Sequence, residues 1–222
     1  MGNLFLVRHG QASLGSSDYD QLSPLGQRQS IRLGEYWRHK GVQFEAVLTG
    51  TLRRHAQTWA GIAQGGDYPM EPLIWPGLDE YNADSLIHSV QAHGSDRTDT
   101  PEAFRQHFRW LREGLTQWAQ GHISPKGMPS YPEFVAGVNR ALDHVRQHFT
   151  GNVLLVSSGG PIATAVSQVL NAPSETLVDL NMRIRNSAVT EFVFNPKRHS
   201  LLSFNTLPHL DHPDHADWVT YA

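Results

Sequence analysis

Leu4-Phe5-Leu6-Val7-Arg8-His9-Gly10 is the stretch that decides the fold. A short continuous apolar run bounded by polar residues is the pattern of a buried strand. In an open α/β sheet, ligands bind just beyond the carboxyl ends of the strands. Arg8 and His9 therefore stand where chemistry is usually done. Arginine offers a permanently charged planar fork suited to phosphate oxygens. A neutral histidine beside it can act as a nucleophile near neutral pH. Together they suggest a phosphoryl group carried on an imidazole, although the tripeptide alone also reads as a polar turn.

Working outward, strand and helix patterns alternate. The first strand, Asn3 to Val7, leads into a Gly/Ser/Asp-rich loop running through Gln21. Ser23-Pro24 opens a helix, serine capping free amides and proline tolerating the first helical position. That helix is expected to run to Lys40 and to end at Gly41. Ala46-Val47-Leu48 makes a second strand, and Thr51 to Gln64 a second helix closed by Gly65-Gly66. Leu73-Ile74-Trp75 is a candidate third strand. From Glu80 to Pro129 the composition shifts to clustered His, Trp, Asp, Gly and Pro, which we take as an inserted helical cap. Within it, Thr100-Pro101-Glu102 caps a helix bearing Phe104, Phe108, Leu111, Leu115 and Trp118 on one face, a core stripe. Ser130 to Phe149 forms another helix, with Phe134, Val138, Leu142 and Val145 on one face.

Val153-Leu154-Leu155-Val156 is the clearest buried strand, and it runs into Ser157-Ser158-Gly159-Gly160-Pro161 and a helix from Ile162 to Leu170. Ala188 to Phe194 and Leu201 to Phe204 flank Asn195-Pro196, a turn signal. Strands separated by helices predict a three-layer α/β/α sandwich with a mostly parallel central sheet and an antiparallel edge pair. The 222 residues suit a single domain.

Composition narrows the function. The formal charge of −3 gives no basic footprint for nucleic acid. The absence of cysteine excludes disulfides, thiolate metal sites and a cysteine nucleophile. No basic segment precedes a long apolar stretch, and no apolar run approaches membrane-spanning length, so a cytoplasmic protein with no membrane partner is expected.

Further residues extend the strand-end site. Arg54, in Leu52-Arg53-Arg54-His55-Ala56-Gln57-Thr58, follows the second strand, so two arginines from different strand ends can clamp phosphoryl oxygens. Glu80 follows the third strand, where a carboxyl group can protonate a departing alkoxide and then activate water. These motifs, Arg8-His9-Gly10, Leu52-x-Arg54-x-x-Gln57-Thr58, Leu78-x-Glu80 and Val156-Ser157-Ser158-Gly159-Gly160, occur in the order of the histidine phosphatase superfamily, and the chain resembles that phosphoglycerate mutase-like family. Tyr19-Asp20-x-Leu22-Ser23-x-x-Gly26 and the Asn205 to His209-Leu210 segment look similar to its stretches as well.

By that resemblance His9 is the nucleophile that becomes phosphohistidine and Glu80 is the proton donor. Arg8, Arg54 and the Ser158-Gly159 turn hold the phosphoryl group, and Gln11 and Ser13 make auxiliary contacts. No cofactor is implied, and the partner is a small phosphorylated substrate or a phosphoprotein. The family usually places histidine before Gly-Gly in the late turn; this chain has Ser158. Serine donates one hydrogen bond but brings no charge, and losing a preorganised donor typically costs about 2.7–4 kcal/mol, roughly 10²–10³ in rate. Three outcomes are thus open: a slower or specialised phosphatase, a pocket that another histidine (His55, His88 or His93) reaches, or a phospho-ligand-binding protein of the same fold, the phosphatase being the expectation. If the missing charge limits the reaction, Ser158→His raises turnover. A mutase fits less well, because Gly15 and Tyr81-Asn82-Ala83-Asp84 depart from the mutase pattern.

His209, Asp211, His212, Asp214 and His215 resemble a set of metal ligands, but Pro213 interrupts any helix that would gather the histidines. A polar terminal segment packed over the domain, with no metal site, is the expectation.

Overall fold

A computed structural model describes residues 1–13, 20–91 and 100–221, without the side chains of Pro101 and Phe104. Six strands form one sheet in the order β3-β2-β4-β1-β5-β6. They are β1 (Gly2–Arg8), β2 (Ala46–Thr49), β3 (Leu73–Ile74), β4 (Asn152–Ser157), β5 (Val189–Asn195) and β6 (Arg198–Thr206). The first four run parallel, with Leu4 beside Val153 and Arg8 beside Ser157. Strand β5 runs antiparallel to both β1 and β6, the expected edge pair.

Alternation along the strands divides the core into two layers. Leu4, Leu6, Leu48, Val153, Leu155 and Phe192 face one cluster, and Val7, Val47, Leu154, Val156 and Val189 face the other. The second face is covered by α1 (Pro24–His39) and α2 (Arg53–Gly66), through Leu33, Trp37, Trp59 and Ile62. The first carries α3 (Ala83–Val90), α4 (Pro101–Ala119), α5 (Tyr131–His148), α6 (Gly159–Leu170) and α7 (Ser174–Asn181). The result is the three-layer sandwich.

The starts of α1 and α5 follow the sequence closely, whereas α2 begins at Arg53 rather than Thr51 and α6 at Gly159 rather than Ile162. Ser23 accepts a hydrogen bond from the Gly26 amide at 3.0 Å, and Ser130 with Glu133 forms a capping box on α5. Two local readings are revised. Gly65 and Gly66 are the last two residues of α2 rather than lying beyond it, and the left-handed cap falls on Asp67. A Cβ on Gly65 would lie 2.0 Å from the Ile31 carbonyl, so the glycine lets α1 and α2 approach closely. Helix α7 also escaped the sequence pattern, because its apolar residues are few: Leu177 and Val178 are its buried pair.

The inserted segment is not a separate layer. Leu86 and Ile87 of α3 and Leu111, Leu115 and Trp118 of α4 belong to the larger core cluster together with the sheet. The side chain of Phe104 lies outside the described residues. Among the described residues no helix is long and apolar enough to cross a membrane.

Candidate active site

The carboxyl ends of β1, β2 and β4 bring the site together. His9 leaves β1 with its amide donating to the Ser157 carbonyl of β4 at 2.9 Å. Its own carbonyl accepts from the Ser187 amide at 3.2 Å and from Asn186 Nδ2 at 3.4 Å. The next residue is fixed too, the Gly10 amide donating to Thr58 Oγ1 at 3.0 Å. The backbone that carries the imidazole is thus anchored on three elements.

Nδ1 of His9 donates to the Gly10 carbonyl at 2.7 Å. That bond places the proton on Nδ1 and leaves the Nε2 lone pair free for attack. The ring is only 3 % exposed. Burial first, then the charges of Arg54 and Arg8, hold its pKa well below the ordinary histidine value. At neutral pH the His9 imidazole is uncharged.

Arg54, in the first turn of α2, is buried and pairs with Asp20 Oδ1 at 2.8 Å. Arg8 extends from the end of β1 and donates through Nη1 to the Ile184 carbonyl and, at 2.6 Å, to the Tyr221 carbonyl. Glu80 is seated on the start of α6, where the Gly160 amide donates to both carboxyl oxygens at 3.1 and 3.2 Å. A Cβ on Gly160 would lie 2.2 Å from Glu80 Oε1, so a side chain here would push the carboxyl group from this position. Burial raises the Glu80 pKa, against the opposing pull of Arg54, the Gly160 amide and Arg8. A carboxyl group kept protonated nearer neutrality suits proton donation. The loop bearing it is held by Ser157 Oγ, which donates to the Leu78 carbonyl at 2.6 Å.

Ser158 precedes α6 but its hydroxyl does not cap the helix. Instead Ser158 Oγ lies 2.7 Å from His55 Nε2, and both side chains are fully buried. The His55 ring stands 5.9 Å from that of His9. Of the three further histidines considered, His55 is the one beside His9. His88 is exposed on α3 and bonded to the Asp84 carbonyl, and His93 lies outside the described residues.

Gln11 turns its side-chain oxygen to Ser23 Oγ at 2.8 Å, and the Ser13 amide donates to the Gln21 carbonyl, also at 2.8 Å. Both therefore also brace the start of α1. In the tail, His209 is buried against Ser187 Oγ at 3.0 Å, while His212 and Asp214 are exposed. Among the described residues no cluster of three or more His, Asp or Glu is arranged to hold a metal ion. Residues that sequence reasoning did not assign are Asp20, Thr58, Gly160 and Asn186. Of these, Asp20, Thr58 and Gly160 sat inside the quoted motifs; Asn186 carried no local signal.

The model of the histidine phosphatase superfamily (branch 1) matches residues 4–207. A broad-specificity phosphatase of Saccharomyces cerevisiae is 35% identical over 63 residues, 26% of this chain and 27% of the yeast protein. A phosphoglycerate mutase of Candida albicans is 24% identical over 211 residues, covering 82% of this chain and 83% of the mutase. Among solved structures, mycobacterial glucosyl-3-phosphoglycerate phosphatase complexed with VO3 superposes with a TM-score of 0.64 at 21% identity. That superposition covers 93% of this chain and all of the phosphatase. The fold is therefore that of the phosphoglycerate mutase-like proteins.

Proposed function

Because this chain belongs to the histidine phosphatase superfamily, branch 1, we propose that it hydrolyses phosphomonoesters through a phosphohistidine on His9. The observation that carries the proposal is the Nδ1 bond to the Gly10 carbonyl, which leaves Nε2 as a neutral nucleophile among two arginines and a half-buried carboxyl group.

His9 Nε2 attacks phosphorus in line while Arg8, Arg54, Ser158 and the Gly159 turn hold the phosphoryl oxygens. The P–O bond to the leaving group breaks, and Glu80 passes its proton to the departing oxygen. Glu80, now a carboxylate, then takes a proton from water. The resulting hydroxide displaces His9, releasing phosphate and restoring both residues. Gln11 and Ser13 make auxiliary substrate contacts. The substrate is a small phosphorylated molecule or a phosphoprotein in the cytoplasm, and the reaction needs neither metal nor cofactor.

Turnover of an aryl phosphate in the presence of a chelator tests this directly. His9→Ala is expected to abolish hydrolysis, and acid-quenched wild-type protein is not expected to keep its acid-labile phosphohistidine. Undiminished turnover by His9→Ala would remove the mechanism. The neutral Ser158 favours a second reading, a protein of the same fold that binds phosphorylated ligands without turning them over. In that case phosphate raises the melting temperature by linkage while aryl phosphate stays intact.

A further inference from the structure

His55, buried beside the nucleophile, has no part in the mechanism above, yet its surroundings are those of a relay. Its Nε2 meets Ser158 Oγ at 2.7 Å. Its Nδ1 is buried without a hydrogen-bond partner and faces Asp79 Oδ1 at 3.8 Å. Asp79 in turn is fixed by Thr51, whose amide donates to Oδ1 at 2.6 Å and whose hydroxyl donates to Oδ2 at 2.5 Å. Carboxylate, imidazole and serine hydroxyl therefore stand in sequence, ending at the turn next to His9. An imidazole held between an acid and a hydroxyl decides which way the hydroxyl proton points.

We propose that Asp79, His55 and Ser158 form a proton relay that turns the Ser158 hydroxyl into a donor when a phosphoryl dianion enters the pocket, with His55 as its positioning residue. This rests on the phosphoryl pocket described above. Before an anion binds, His55 is neutral, its proton lies on Nδ1 towards Asp79, and Ser158 spends its own proton on Nε2. A hydroxyl so directed presents only lone pairs to an anion. On binding, one proton from solvent is added to His55 Nε2. Nδ1–H then closes on Asp79, Nε2–H donates to Ser158 Oγ, and the serine proton is released to a phosphoryl oxygen. Bonds that are long in an empty site commonly tighten in the complex. A substrate monoanion supplies the same proton itself, passing it to Ser158 Oγ as Ser158 Oγ passes its own to His55.

The charges around His55 suit a switch of this kind. Burial and then Arg54, on its own helix, lower its pKa to about 3. His9 faces it from the end of β1, Asp79 from the loop after β3 and Ser158 from the β4–α6 turn. Arg8 and Glu80 complete the charged groups around His9. A dianion among these groups opposes Arg54 with twice its charge, and Asp79 lies ready to pair with the imidazolium.

The test is calorimetric binding of sulfate, a dianion with no proton of its own to contribute near neutrality, between about pH 6 and 8. Proton uptake weakens binding by about tenfold per pH unit in the wild-type protein. His55→Gln, which keeps a donor to Ser158 without the ability to charge, is expected to flatten that slope. It should also lower kcat for aryl phosphate by about 10-fold or more with a smaller change in KM. Asp79→Asn, which keeps the acceptor for the Thr51 amide, should flatten the slope in the same direction. Glu80→Gln and His9→Ala should keep it. A flat wild-type profile, or an undiminished slope in a folded His55→Gln or Asp79→Asn protein, overturns the relay. Failure of sulfate to bind overturns it as well. Because His9→Ala is read by binding here and by turnover above, failure of the phosphohistidine mechanism is distinguishable from failure of the relay.

Discussion

Moving the buried imidazole from position 55 to position 158 tests how this pocket is built. His55 and Ser158 are both fully buried and touch at 2.7 Å, so an imidazole at 158 alone has no room. Overpacking of this kind costs about 1–3 kcal/mol, and Ser158→His should therefore lower stability rather than simply add the missing charge. His55→Ala removes a buried ring and strands the serine hydroxyl, a loss of about 2–5 kcal/mol by analogy with large-to-small core substitutions. Made together, the two changes move one ring from α2 to the β4–α6 turn at nearly constant volume, which costs under about 1.5 kcal/mol. The two single losses then total about 3–8 kcal/mol against under about 1.5 for the double, so the coupling between the sites is at least about 1.5 kcal/mol. With about 2–4 °C per kcal/mol for a domain of this size, the singles should melt roughly 2–12 °C and 4–20 °C below wild type, and the double within about 6 °C. The assay is a four-protein cycle followed by thermal melts and aryl phosphate turnover. Activity should fall in both singles and return in the double, where histidine stands in the late turn. Strictly additive losses, or a Ser158→His protein as stable as wild type and more active, would refute the packing argument.

Gly160→Ala pushes a methyl group to within 2.2 Å of Glu80 Oε1 and should displace that carboxyl group, the proposed proton donor. Turnover should fall by about 10²-fold or more for poor leaving groups and much less for activated aryl phosphates; an equal loss for both would separate Glu80 from leaving-group protonation. Gly65→Ala places a Cβ 2.0 Å from the Ile31 carbonyl, and should lower the melting temperature by several degrees without altering KM, since it separates α1 from α2. Acid should destabilise the protein through His55 and His209, both lowered to about 3, first by burial and then by Arg54 and Arg32 respectively. The sign follows from proton counts: below the unfolded value of 6.5 the unfolded chain binds protons that the native rings refuse, so stability falls as pH falls. Between about pH 6.5 and 5 the two rings together account for about 3 kcal/mol, and His209→Gln should remove roughly half of that loss in urea titrations.

Much of the site was legible because its residues sit at fixed offsets from strand ends. Apolar runs located β1, β2 and β4, and the polar residues just after them are Arg8-His9, Arg54 and Ser158-Gly159. Glu80 followed β3 in the same way, although β3 proved to be two residues long and exposed. The two glycines at the end of α2 misled because glycine serves equally as a terminator and as a close-packing residue. Choosing between those uses depends on what lies opposite, here the Ile31 carbonyl. Helix α7 was missed because short helices with two buried residues have too little periodicity to stand out from a loop.

Sequence alone determined the alternating α/β order, the strand-end placement of His9, Arg54 and Glu80, and the serine where family members usually carry histidine. Those features are local: periodicity, caps and offsets are written within a few residues of one another. Tertiary structure alone decided that Ser158 faces His55, that Glu80 rests on the Gly160 amide, and that Asp20 pairs with Arg54. Those contacts join residues 103, 80 and 34 positions apart. No spacing rule links such positions; the parallel register of β1, β2 and β4 sets their ends side by side, and that register brings the partners within hydrogen-bond reach.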